Sequence, residues 1–368
     1  VSRGGSVEPE GTGRGALRLS VDLWAEDLGE LAGLARQAEA SGFSGLWTSE
    51  LERSAFVPAA VLALSTKRAR VGSAIALAFV RSALSLSLEA LDVDELSRGR
   101  FVLGLGSGVR RLNESWHNQP LDHPVGRLRE RVELLRRIMA AAGDKAPVDF
   151  EGRFEHVEIR GWHRATQRGQ ARLPIYLAGV GPQMVTLAGE VGDGWIGHEL
   201  GSARYLAEVI RPALAAGLER SGRSFESFDV VASACCVVDE DATRALRDAA
   251  ALVAFYATVK TYRSFFAFHG FEREAEEIGR RFRAGDEVGM VAACPDEMAA
   301  AVTVVGTPDD VERQLMAFST VANEVKLRVP AHFLDPPRIR ARQAALLDWA
   351  RRRAGRRSLV DEQGGDNG

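Results

Sequence analysis

The residues of this chain that could do chemistry are mostly glycines and their polar neighbours. Leu103-Gly-Leu-Gly-Ser-Gly108 places Gly104, Gly106 and Gly108 at alternate positions, followed by Arg110, Arg111 and Asn113. Missing side chains let backbone N–H groups approach a ligand closely. A second such stretch, Ala178-Gly-Val-Gly-Pro182, ends in a proline suited to the first turn of a helix. Free N–H groups and the helix dipole at that start favour an anion, most naturally a phosphate. A tight turn built of small residues would account for either loop alone. Two such loops on neighbouring strands weaken that account. For proton transfer, Glu50 is the best carboxylate, with His198 and His332 as proton donors. Simple polar packing at a strand end is the competing account of each histidine.

A dinucleotide fingerprint fails on spacing. G-x-G-x-x-G counted from Gly104 needs a glycine where Val109 stands. The acid expected about 20 residues further on is missing, because Gln119 to Pro124 reads as loop. Three cysteines make no disulfide framework. Cys235 and Cys236 are adjacent in a strand-like run and point to opposite faces, which suits core packing, and Cys294 stands alone. The histidines show no H-x-x-x-H or H-E-x-x-H spacing, so no metal is expected.

The elements that position these residues alternate regularly. Leu17–Trp24 reads as a strand, 26–41 as a helix, and Phe43–Glu50 as a second strand ending in its carboxylate. A helix over 56–66, a strand over 69–76 and a helix over 82–96 lead to the buried strand 101–105. Then come helix 126–142, strand 173–178, helix 182–191, the short strand 194–197, helix 203–220 and strand 228–238. Thr307 caps a helix to about 320, strand 324–329 follows, and a last helix spans about 337–352. Eight strand–helix units predict an α/β (β/α)8 TIM barrel, with a doubly wound sheet as runner-up. Residues 1–15 read as disordered, 16–354 as the barrel and 355–368 as a disordered tail.

The 368 residues exceed a minimal barrel, and the excess falls at 143–172 and at about 239–306. The second insertion carries Phe255, Tyr256, Tyr262, Phe265, Phe266, Phe268, Phe271 and Phe282. It reads as a helical insertion with its own small core, or as a lid over the ligand end. A net charge of −3 gives no global case for nucleic acid or membrane. No apolar run approaches a membrane span, and Val1 to Gly15 lacks the apolar core of a signal peptide. A cytoplasmic protein is the expectation.

Several stretches together resemble the luciferase-like monooxygenase superfamily, and within it the oxidoreductases that use the deazaflavin coenzyme F420. They are Gly42-Phe-Ser-Gly-Leu-Trp-Thr-Ser-Glu50, Leu96 to Gly108, Leu112-Asn-Glu114, Leu173 to Pro182, Ala188 to Ile196 and Val305 to Val311, in family order. The resemblance implies a barrel with the cofactor ring across the strand ends. It implies that Gly179, Val180, Gly181 and Pro182, following Ala178, hold a phosphate. Gly106, Ser107, Gly108 and Asn113 would line the cofactor, with Glu50 beside it and a non-prolyl cis peptide at Ala74-Ile75 backing the ring. The acid–His pair often seen after the second strand is absent, since Leu51 follows Glu50. The acid often found after the fourth-strand glycines is replaced by Val109 or Arg110. Three functions stay open: F420-dependent hydride transfer to or from a small organic substrate, reduced-FMN monooxygenation, and a non-catalytic binding or structural barrel. Arg110 and Arg111 lean toward the carboxylate-rich tail of F420. The insertion would set the substrate, and relatives commonly form homodimers.

Overall fold

The structure, a computed structural model, describes residues 16–143, 145–164, 170 and 172–364, with side chains as far as Arg356. The expected disorder of 1–15 lies outside the described residues. Among the described residues twelve strands are formed: β1 (Arg18–Asp22), β2 (Gly45–Thr48), β3 (Arg70–Ser73), β4 (Ala76–Leu77), β5 (Phe101–Gly106) and β6 (Val148–Glu151); then β7 (His156–Ile159), β8 (Ile175–Ala178), β9 (Gly194–Ile196), β10 (Asp229–Val238), β11 (Val304–Gly306) and β12 (Glu324–Arg328). In the order β1-β2-β3-β5-β8-β9-β10-β12, neighbours pair in parallel, and β12 returns to β1. This is a closed eight-stranded α/β TIM barrel.

Strand alternation decides what faces the barrel axis. On β5, Phe101, Leu103 and Leu105 join the outer core beneath the helices, while Val102 points inward with Trp47, Tyr176, Ile196 and Val231. Gly104 lies on the inward side because a Cβ there would stand 1.9 Å from the Ser73 carbonyl oxygen. That glycine serves packing. Cys236 faces the outer core and Cys235 the core of the insertion, so the adjacent cysteines do take opposite faces.

The N-terminal end of the barrel is closed by charge. Arg70 Nη1 donates to Asp229 Oδ2 at 2.8 Å and to the Tyr176 hydroxyl at 2.9 Å, and its Nη2 bonds Glu324. Trp47 Nε1 donates to Glu324 Oε1 and Ser20 Oγ, each at 3.0 Å. Four strands therefore begin on one shared ion cluster, far from the strand ends where ligands bind.

Several boundaries differ from the sequence reading. The third strand is broken into β3 and β4 around a cis Ala74-Ile75 peptide. The stretch 143–172 holds the antiparallel hairpin β6–β7, which short alternating segments with few apolar residues did not announce. The helix over 203–220 contains a π-turn at Leu206–Ile210 ahead of Pro212. The last helix runs from Pro336 to Gly364, so residues 355–364, read as tail, continue it; arginine, leucine, glutamate and glutamine there are strong helix formers.

The second insertion holds helices Ala242–Ala257, Arg263–Phe268, Glu272–Arg283, Glu287–Ala292 and Asp296–Val302, then β11, which pairs with the upper end of β10. Phe265, Phe266, Ile278, Met290 and Met298 form a core of their own, fused to Cys235, Val237 and Leu200 of the barrel. Arg342 binds both Asp239 and Asp248, and Arg338 pairs with Asp248 at 2.6 Å, tying the insertion to the last helix.

Candidate active site

The C-terminal ends of the strands open into one cavity of about 660 Å3. Glu50, Ala74, Ile75, Gly106, Ser107, Gly108, Ala178, Gly179, Val180, Gly181 and His198 all line it, brought together from five strands. Asn113, Pro182 and His332 do not line it.

On one side lie the two glycine loops. A Cβ on Gly106 would sit 3.0 Å from Ile75 Cδ1, so the missing methyl leaves room for the Ile75 side chain beside the cavity. Gly108 has φ +66°, and a Cβ there would meet Leu77 Cδ2 at 2.6 Å. Asn113 is wholly buried and works from behind. Its amide nitrogen donates to the Ser107 carbonyl at 2.8 Å and the Val109 carbonyl at 3.1 Å, so it shapes the loop. Arg110 is paired with Glu114 and also donates to the Leu121 carbonyl at 2.8 Å.

The second loop ends at the helix Pro182–Val191. Gly181 is its N-cap at φ −83°, ψ 149°, with no side-chain cap. A Cβ added at Gly181 would meet nothing within 4 Å, so the backbone there is open. Pro182 takes the first helical position, where a missing N–H costs nothing, and the next two N–H groups precede the first intrahelical bond, Val185 to Gly181. Trp195 Nε1 anchors the loop by donating to the Gly179 carbonyl at 3.0 Å.

At the rim, Glu50 is held by donors on both oxygens. Arg81 Nη1 donates to Oε2 at 2.9 Å, Arg81 Nη2 to Oε1, and the Leu77 N–H to Oε2 at 2.8 Å. Glu50 thus ties β4 to the end of β2.

The other side of the cavity is charged. Asp22, His198, Glu199, Lys326 and Arg328 all line it, with Tyr256 and Tyr262 contributed by the insertion. His198 packs edge-on to Tyr256 at 4.5 Å and against Tyr262 at 4.4 Å between ring centroids. The insertion therefore has its own core and also contributes Tyr256 and Tyr262 to the cavity wall. Burial lowers His198 from its ordinary 6.5 to about 4. Burial opposes ionisation of Glu199, but Arg328, His198 and the Tyr256 hydroxyl outweigh it and hold the carboxyl at about 2. Burial dominates at Asp22 and raises it, against the pull of Arg328 and Lys326. His332 stands behind this wall, stacked on Phe255 at 3.9 Å.

Lys326 and Arg328 were not singled out from sequence, and Asp22 and Glu199 stood out only as strand ends, although a signal for the β12 pair exists. In Glu324-Val-Lys-Leu-Arg328 the charges alternate with apolar residues, and in a barrel strand the apolar set must face the helices. The charged set then points inward. Among the described residues no group of His, Cys, Asp and Glu converges as a metal set, and no helix is long and apolar enough to cross a membrane.

The sequence profile described as luciferase-like monooxygenase matches residues 7–322. An uncharacterised protein of Mycobacterium tuberculosis is 35% identical over 302 residues, covering 81% of this chain and 89% of that protein. A putative coenzyme F420-dependent oxidoreductase of the same organism is 28% identical over 318 residues, covering 81% and 90%. Among solved structures, the coenzyme F420-dependent tetrahydromethanopterin reductase of Methanopyrus kandleri superposes with a TM-score of 0.78 at 21% identity, over 90% of this chain and 96% of that one. The oxygenating constituent of a Pseudomonas putida diketocamphane monooxygenase, in complex with FMN, gives 0.62 at 18%, over 91% and 96%. Those two structural likenesses concern the fold.

Proposed function

This chain belongs to the luciferase-like monooxygenase family, and from that premise we propose that it is an oxidoreductase using coenzyme F420 to move a hydride to or from a small organic substrate. The observation that carries the reading is the pair of glycine loops facing one cavity, one beside Ile75 and one opening the helix at Pro182. The residues fit such a cofactor. The open backbone at Gly181 and the first-turn N–H groups suit a phosphate, and Ile75, Gly106, Ser107 and Gly108 together offer the cavity wall on which a flat ring could lie.

When bound, the deazaflavin supplies two-electron hydride chemistry. The chain's part is to bind, orient and exclude water. Ile75, Ser107 and Gly108 would support the ring, and Gly179 to Gly181 the phosphate. Tyr256 and Tyr262 would close the far side against solvent. Proton traffic falls to the polar wall. His198 is neutral near pH 7 and able to accept a proton, and Asp22 is the carboxyl most easily protonated. Glu50 and His332 remain acid–base proposals of lesser geometric support, one held by Arg81 and the other behind Phe255.

Reduced-FMN monooxygenation is the second reading, because the same cradle accepts a flavin ring and one phosphate. Arg110, already compensated by Glu114, gives F420 no added preference. The F420 choice is supported by the relative named as putatively F420-dependent. A cytoplasmic homodimer completes the proposal; sedimentation as a single chain at micromolar concentration would count against the dimer. The deciding experiment titrates purified protein with F420 and with FMN while following fluorescence. Saturable quenching by F420 at lower concentration than FMN is expected, and preference for FMN would reverse the assignment.

A further inference from the structure

We propose that Lys326 and Arg328 form an oxyanion subsite, so that the molecule turned over in the cavity carries a carboxylate or a phosphate ester. The inference rests on the reading of the cavity as a cofactor-and-substrate site and adds the class of substrate. Both residues lie on β12, where Val325 and Leu327 join the outer core and the alternate positions face inward. Glu324, the lowest of the inward set, is satisfied by Arg70 and Trp47. The two above it are not satisfied. Lys326 is only 5% exposed and lines the cavity, yet makes no hydrogen bond or ion pair among the described residues. An ammonium has three donors and no acceptor, and burying it without partners is costly. Arg328 makes no hydrogen bond among the described residues either; its guanidinium stands 3.5 Å from Asp22 Oδ2 and 3.6 Å from Glu199 Oε2.

The two acids flank Arg328 and orient it, while Lys326 has no ion-pair partner among the described residues. A cation entering here would meet both positive groups. A neutral hydroxyl would satisfy one donor and leave the ammonium without a direct ion-pair partner, although Asp22 and Glu199 act on it at longer range. An oxyanion answers both, with Lys326 and Arg328 about 7 Å apart along the strand and able to converge on one group. The subsite is also placed for a substrate and not for the cofactor. In the ring of eight strands β12 stands opposite β5, four steps either way, whereas the glycine loops follow β5 and β8. Tyr256 and Tyr262 wall this side, so an anion seated here would be enclosed by the insertion.

Inorganic phosphate and acetate serve as probes in calorimetric titrations near pH 7. Because the loop at Gly181 is a second anion site, the titrations use Gly181→Asp as parent. Saturable binding of one of the two anions by this parent is expected, weakened tenfold or more by Lys326→Met and by Arg328→Met. Lys326→Arg keeps the charge and should stay within about threefold of the parent, which separates a lost anion contact from a lost fold. The anion that saturates tells a phosphate ester from a carboxylate. No saturation by either anion, or undiminished binding after Lys326→Met or Arg328→Met, overturns the subsite. Titrating F420 and FMN into Lys326→Met in the otherwise native chain keeps the two readings apart. Native-like cofactor affinity there with no anion binding by the Gly181→Asp parent removes the subsite alone, and anion binding by that parent with neither cofactor bound by the native chain removes the proposed function alone.

Discussion

Glu50 and Arg81 meet in a two-pronged ion pair at the rim of the cavity, with Nη1 2.9 Å from Oε2 and the second prong between Nη2 and Oε1. Arg81 also reaches Glu89 at 2.9 Å, so one guanidinium joins β2, β4 and the helix Ala83–Ser97. A carboxylate so held is a brace for the bulged strand as much as a reagent. Arg81→Met leaves Glu50, whose side chain is 7% exposed, with only the Leu77 N–H. A loss of about 1–3 kcal/mol is expected by chemical denaturation, below the full cost of breaking a buried pair because the rim is partly wet. A stability equal to the native chain's would show that the pair holds nothing.

The cap position Gly181 separates binding from folding. Its φ of −83° and the open space around a Cβ mean that Gly181→Asp enters without strain. An aspartate is moreover a good N-cap, so stability should hold or rise by about 0.5–1 kcal/mol. The same carboxylate stands where the phosphate is proposed to lie, and cofactor binding should weaken by roughly 2–4 kcal/mol, a factor of about 30–1000 in Kd. Thermal melts and cofactor titrations read the two effects. Unchanged affinity with unchanged melting moves the phosphate elsewhere.

Acid should destabilise the fold in a window set by buried histidines. His198 and His269 are each lowered by burial from 6.5 to about 4. The unfolded chain then binds more protons than the folded one between those values, so stability is full above pH 6.5 and falls as pH drops toward 4. Each full shift corresponds to about 3 kcal/mol; with His269 half-exposed to solvent its share is smaller. His198→Asn should flatten the slope of unfolding free energy against pH between 4 and 6.5, leaving the part due to His269 and to His332, which burial also lowers. An unaltered slope would mean that His198 is not the neutral group described.

The charge cluster at the opposite end of the barrel predicts a change in stability without a change in ligand affinity. Arg70 compensates Glu324, 1% exposed at its side chain, and Asp229. Arg70→Ala leaves both carboxylates to Arg18, 2.9 Å from Asp229 and 3.4 Å from Glu324, so a cost of about 1–3 kcal/mol is expected, below that of a wholly uncompensated buried carboxylate. Urea denaturation measures it, with cofactor titration as control. Loss of cofactor affinity in a variant that is still folded would contradict the separation of the two ends.

Much of this molecule was legible before any coordinate. Strand–helix alternation is local, because each strand's apolar run and each helix's apolar face must be buried, and eight such units have few ways to close. The glycines were legible too, although not their division of labour. Gly104 answers the Ser73 carbonyl inside the barrel, while Gly181 answers nothing in the protein and faces open space. That distinction depends on what lies across the barrel, which no local pattern carries. The hairpin at Val148–Ile159 escaped because each strand is only four residues long, with two apolar positions on one face and the other face wet. Asn113 was placed on the cofactor and turned out to hold Ser107 and Val109 from behind, since a π-turn at Leu112–Trp116 rotates it into the core.

The sequence by itself determined the barrel, its order of strands and the two glycine loops that line the cavity, because these follow from periodicity and from missing side chains. Only the tertiary structure decided the polar wall. Asp22, His198, Glu199 and Arg328 come from β1, the end of β9 and β12, and they meet Tyr256 of the insertion because β12 closes onto β1 and the helix Ala242–Ala257 reaches over the strand ends. Charges far apart in the chain acquire their protonation states and their unmet hydrogen bonds only when closure removes them from water together.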